Sequence, residues 1–270
     1  MYDRGGGRTS PRAAAGLVRE ADTATKDLSR RLGWLRHVDE PARLRSWRQE
    51  PRVDPLSERR LTMVAFQLEH RGVVREPRQT VEWLRGSPAI VRELDELADV
   101  LEDRVPLAKD VYPVAEWPLA LHRHYSRREI VAGVGFVKPG GKGVTPQGGI
   151  LKLDGQRELL LVTLDKSGRS FSPTTRYRDY AISPSLFHWE TQGLASVSRP
   201  SGRRYLDSPG NGWSFFLFVR TDPDARSPYV FLGPLRFREA SGDRPIGITW
   251  ELETPMSAAL FARFATLAQP

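Results

Sequence analysis

The chain contains no cysteine. That excludes disulfides, thiolate zinc sites and thiol nucleophiles. It also lacks any apolar run near the ~18 residues that a membrane span needs. Its first residues, MYDRGGGRTSPRAAAGLVRE, have no long apolar core of a secretory signal. A cytoplasmic protein with no membrane partner is therefore expected. No serine is framed as GxSxG, so a nucleophile elbow is absent. The run VGFVKPGGKGV only imitates a phosphate loop. Phe136 stands where the first glycine belongs, and Gly143 replaces the hydroxyl residue that would hold Mg²⁺. Nucleotide hydrolysis is excluded on that ground, and no cofactor is expected.

What the chain does have is positive charge, unevenly placed. The net charge is +8 over 270 residues. Residues 1–120 hold 21 Lys and Arg against 20 Asp and Glu, whereas residues 121–270 hold 20 against 13. An excess confined to one half draws in polyanions, at some cost in self-repulsion.

The organisation changes along the chain. Residues 1–11 read as a disordered tail rich in Gly, Ser, Arg and Pro. Residues 12–117 read as helical. Ser57 is expected to cap a helix carrying Leu61, Val64, Ala65 and Leu68, and Ser87-Pro88 to open another with Ile90, Leu94, Leu97 and Leu101 on one stripe. Ser126-Arg127-Arg128-Glu129 is a capping box ahead of a short helix. Beyond it the period shifts to strands: GILKL, ELLLVTL, WSFFLFVR, PYVFLGPLRF and PIGITWEL. SAALFARFATL closes the chain as an amphipathic helix. The expected fold class is α+β: a helical first half, then a mostly antiparallel sheet or open barrel with short helices over residues 118–270.

The segment Phe171–Gln192, FSPTTRYRDYAISPSLFHWETQ, concentrates the chemistry. Arginines Arg176 and Arg178, with Arg203 and Arg204 further on, suit phosphates. Thr174 and Thr175 add hydroxyl donors. Tyr177, Tyr180, Phe187 and Trp189 offer rings for stacking a base. Asp179, His188 and Gln192 complete the expected pocket. In a strand, Phe187 and Trp189 would share one face and His188 the other, so one face is expected to be core. Asp179 and Glu190 are the acidic residues of this segment, and a Mg²⁺-dependent nuclease is the alternative they raise. Against it, Gln192 stands where such nucleases usually place a lysine. His122 and His124, two apart, lack further ligands at metal spacing, and a structural or hydrogen-bonding role is expected.

The pieces HRHYSRREI, LLLVTLDKSGRSFSPTTRYRDYAISPSLFHWETQ, SGRRYL, FFLFVR, YVFLGPLRF and RPIGITWEL together resemble a known family. It is the C-terminal domain of unknown function carried by bacterial superfamily-two helicases of the DEAD/DEAH-box type, often alongside a phospholipase-D-like nuclease module. The likeness runs from about Leu121 to Phe264. Residues 12–117 are similar to the segment joining that domain to the helicase core. The resemblance implies a target-recognition module in DNA processing or phage defence. Because this chain carries no Walker, helicase-arginine or HxK motif, the family's ATPase and cleavage chemistry does not transfer. The expectation is a non-enzymatic module binding DNA, double-stranded for preference and reading a modified or flipped base. The alternatives are the nuclease and a protein-interaction module docking on a helicase or nuclease encoded elsewhere.

Overall fold

A computed structural model describes residues 30, 33–48, 54–68, 76–86, 88–104, 110–138, 140–141, 148–165, 178–208, 210–224 and 226–265. Seven α-helices, four of them before residue 105, and eight strands are assigned among these residues. The class is the expected α+β.

The helical half begins with a 3₁₀ turn, Gly33–Leu35, and a short helix α1, Pro41–Leu44. Helices α2 (Pro55–Leu68), α3 (Pro77–Arg85) and α4 (Pro88–Arg104) follow. Each has proline as its first residue, where a missing N–H costs nothing and the fixed φ suits the first turn. At α2 that proline shifts the cap one turn upstream of the expected Ser57. Asp54 Oδ1 accepts from Leu56 N at 2.7 Å and Ser57 N at 3.0 Å, while the Ser57 hydroxyl donates to Oδ2. Ser87 lies outside the described residues. The expected stripe on α4 is present: Ile90 and Leu94 are buried against Leu35, Leu44, Leu61 and Val81, Leu97 and Leu101 are partly buried against the same core, and Ala98 joins them.

Helix α5, Arg127–Gly133, starts with the capping box read from the sequence. Ser126 Oγ accepts from Glu129 N at 3.2 Å, and Glu129 Oε2 accepts from Ser126 N at 2.7 Å. Strands β1 (His124–Tyr125), β2 (Ile150–Leu153), β3 (Arg157–Thr163), β4 (Tyr180–Ala181), β5 (Leu186–Glu190), β6 (Ser214–Arg220), β7 (Tyr229–Ser241) and β8 (Gly247–Leu252) form one open sheet. Its order is β2-β3-β6-β7-β8-β5-β4, with β1 beside β7. All pairs are antiparallel except β3 with β6. Helices α6 (Pro200–Leu206) and α7 (Ala258–Ala265) complete the described elements.

The sheet is covered unequally. One face, bearing Leu160, Leu217, Leu232, Trp250, Phe187 and Trp189, packs on Tyr205 of α6 and Phe264 of α7. The other face is apolar over β1, β2, β3, β6 and β7, where Leu159, Phe216, Phe218 and Phe231 meet Ile130 of α5, Trp117, and Met63 and Phe66 of α2. This explains two kinds of strand. β3 and β6 are buried almost throughout, as strands sandwiched on both faces are, whereas β5 and β8 alternate buried and half-buried residues. It also joins the helical segment to the sheet domain, since Met63 and Phe66 share a core with the residues beyond 117.

A bulge interrupts the β6–β7 ladder between Leu217 and Phe218. Gly233 sits there at φ 93°, and a Cβ on it would meet Leu121 Cδ2 at 2.6 Å. Only glycine satisfies both the backbone and the contact.

Candidate nucleic-acid interface

Among the described residues, those nominated from the sequence do not converge on one pocket. Thr174, Thr175, Arg176 and Tyr177 lie outside the described residues. Strand β5 alternates as anticipated, and this places Trp189 inward. It is 4 % exposed, with its ring edge-on to Tyr205 at 5.2 Å. A ring spent on the core has no free face for a base, so Trp189 leaves the expected stack. Arg204 is likewise structural. Its Nε lies 3.0 Å from Oε2 of fully buried Glu158, and its guanidinium covers the Tyr205 ring at 4.5 Å. A carboxylate buried in β3 needs that cation. Arg203 is exposed but ion-paired with Asp207 one turn on.

On the opposite face of β5, Tyr180 and His188 stack at 4.9 Å, both half-buried. Asp179 and Glu190 make a reciprocal clamp: Glu190 N donates to Asp179 Oδ1 at 3.0 Å, and Arg178 N donates to Glu190 Oε2 at 2.9 Å. These carboxylates tie two segments of backbone together. Gln192 is exposed beyond them. The neighbouring positions Thr249, Glu251, Arg238 and Glu239 pair among themselves, so this open half of the sheet carries mixed charge. Among the described residues no group of three or more His, Asp or Glu is placed to hold a metal ion.

The cationic concavity is elsewhere. A cleft of about 1260 Å³ is walled by Arg30, Gly33, Trp34, Arg36 and His37, the start of α5, and the residues joining β6 to β7. Six arginines line it, Arg30, Arg36, Arg127, Arg128, Arg220 and Arg226, against two carboxylates, Asp222 and Asp224. Asp224 is already engaged: hydrogen bonds from the side chain and backbone of Arg226 hold its carboxyl at about 2. Three of the arginines are set on aromatic or polar supports. Arg127 Nη2 donates to the Tyr229 hydroxyl at 2.9 Å and Nη1 to Gly148 O at 2.7 Å. Arg220 lies 4.8 Å from the Tyr229 ring centroid and donates to Thr163 Oγ1 and Asp224 O. Arg128 covers Phe66 at 5.2 Å and reaches Trp34 at 6.0 Å. Burial pulls the pKa values of Arg128 and Arg220 below the usual arginine value; for Arg220, the nearby charge of Arg127 adds to this. Both cations sit where a bound anion would be favourable.

A buried ion network holds the N-terminal wall in place. Glu129 of the capping box is fully buried, and its second role was not legible in the motif. Oε1 accepts from Arg43 Nη1 at 2.8 Å, and Oε2 accepts from His37, which lines the cleft. Arg43, itself fully buried, donates to His124 O and lies 4.3 Å from the Tyr125 ring centroid. His124 takes the hydrogen-bonding role expected of it, with Nδ1 2.8 Å from Asp39 Oδ2. The Glu129 carboxyl settles near 2: burial alone would raise it, and the charges of Arg43 and then His37 outweigh that.

An α+β protein with an open, half-covered sheet and an arginine-lined cleft at its helical junction is thus defined. The model of the family described as Domain of unknown function (DUF3427) matches residues 119–264, more than half the chain. The chain belongs to that family. No curated protein matches it. The match takes in Arg127, Arg128, Arg220 and Arg226 but stops short of Trp34, Arg36 and His37. The cleft straddles the boundary of the family domain.

Proposed function

We propose that this protein is a non-catalytic nucleic-acid-binding module, with DNA as its partner and the arginine cleft as its contact surface. One observation carries the reading: six guanidiniums from three distant chain segments share one concavity with two carboxylates. Guanidinium forks suit phosphate oxygens in shape as well as charge. Phosphate neutralisation supplies most of the sequence-independent affinity for nucleic acid. Base or modification reading, where it occurs, falls to groups beside that cleft and not to Trp189. The helicase-associated relatives suggested by the sequence make a separately encoded helicase or nuclease the natural companion, with this chain supplying target contact in DNA processing or phage defence.

Titration against labelled DNA at several salt concentrations tests the reading. With about six phosphates contacted, the logarithm of the binding constant should fall against log salt with a slope near −5. Arg36 and Arg226 are exposed, so the double variant Arg36→Glu, Arg226→Glu should keep the wild-type melting temperature. It should bind more than tenfold more weakly with a shallower slope. Salt-insensitive binding, or equal affinity in the variant, would remove the cleft from consideration.

A further inference from the structure

We infer that the cleft receives a single nucleic-acid strand in preference to a duplex, an inference that rests on the nucleic-acid reading and narrows it. Proteins that read duplex DNA usually project a helix or β-ribbon into a groove about 12 Å wide. Among the described residues no helix or ribbon projects from this cleft. Residues Glu129–Gly133 of α5 are all buried, and only its first-turn residues Arg127 and Arg128 reach the cavity. The cations line one concavity, and Arg128 and Arg220 are half-buried. A rigid duplex would rest on the rim at exposed Arg36 and Arg226. A single strand can bring separate phosphates down to the inner pair.

The second observation is Trp34. Its half-buried ring forms part of the same wall, with the guanidiniums of Arg30 and Arg128 each 6.0 Å from its centroid. Aromatic faces interleaved with arginines are the working parts of single-strand channels, because every base has a face to stack while a paired base in a duplex has none free. The cavity volume, about 1260 Å³, exceeds the ~300–1000 Å³ usual for a small-molecule pocket. It suits a short run of linked nucleotides better than one compact ligand. The burial of Arg128 and Arg220 adds support, since the charge of a phosphate reaching them would offset its cost.

The test uses the full chain, a labelled oligo-dT strand of about a dozen nucleotides and a blunt duplex of equal length, in one buffer. The strand is expected to bind at least tenfold more tightly. Trp34→Leu should weaken strand binding about tenfold, the worth of one lost stack, with the salt slope unchanged and the duplex affinity unaffected. Trp34→Phe, which keeps a stacking face, should retain most of the strand affinity and controls for any loss of fold in the leucine variant. Equal or tighter duplex binding overturns the inference while leaving the nucleic-acid reading intact, as does an equal loss on both ligands in the leucine variant. Absence of salt-sensitive binding to either ligand defeats the underlying reading itself.

Discussion

Replacing Glu129 with glutamine is expected to cost about 3–5 kcal/mol of stability, the range for removing one partner of a buried ion pair. The size follows from burial. Glu129 and Arg43 are both inaccessible to solvent and only 2.8 Å apart, so the variant leaves a guanidinium in the interior with its nearest countercharge gone. Glu40 and Asp39, at 3.7 and 3.8 Å, compensate only in part. The capping box loses its carboxylate as well. Acid titration gives an independent check. The folded carboxyl titrates near 2, below the roughly 4.3 of an unfolded glutamate. A depressed folded pKa contributes stability that is fully present above the unfolded value and is lost as the pH falls from about 4.3 toward 2. Chemical denaturation at pH 7 and at pH 3 should therefore show a steeper loss for the wild type than for Glu129→Gln. Identical pH profiles would mean that this carboxylate is not ionised in the fold. Since Glu129 also anchors His37, nucleic-acid affinity should fall in the variant through displacement of the wall that carries Trp34 and Arg36.

Trp189→Ala should lower stability by about 3–5 kcal/mol, the usual cost of emptying a buried aromatic site. Its ring lies among Tyr205, Phe187, Ile248 and Trp250 in the larger core. The loss of fold should carry the loss of every other property with it. His188→Ala, one residue away on the other face, removes a half-buried ring stacked on Tyr180 and should change stability by less than about 1 kcal/mol, as surface-side substitutions do. Urea unfolding of the two variants distinguishes the faces. A mild Trp189→Ala combined with a selective defect in ligand binding would put that ring back in a site.

The frame of the fold was readable because it rests on local signals. Five apolar strand runs, one capping box and one helical stripe announce themselves within a few residues, and each is found where expected. The site was not readable in the same way. The segment Phe171–Gln192 looks like a pocket because it crowds aromatic and polar groups together, yet composition does not say which side of a strand is covered. Phe187 and Trp189 went to the core. Arg204 resembled a phosphate ligand because nothing near it names Glu158, 46 residues earlier, as a buried carboxylate in need of a cation. The arginine cleft is assembled from residues as far apart as 30 and 226, and no short-range pattern links them. The one available hint was Arg127-Arg128 in the first turn of α5, where acidic residues are the more favourable choice.

The lopsided covering of the sheet has a consequence for how the molecule breathes. Amide protons of β3 and β6, walled in on both sides, should be the last to exchange with deuterium, because they open only when the whole fold does. Those of β4 and β5, backed on one side and ending at the sheet edge, should exchange through local opening many times sooner. Protection therefore declines from the centre of the sheet toward residues 178–190. The end that first loosens is the one opposite the helical junction, so the arginine cleft should stay assembled while the far edge frays.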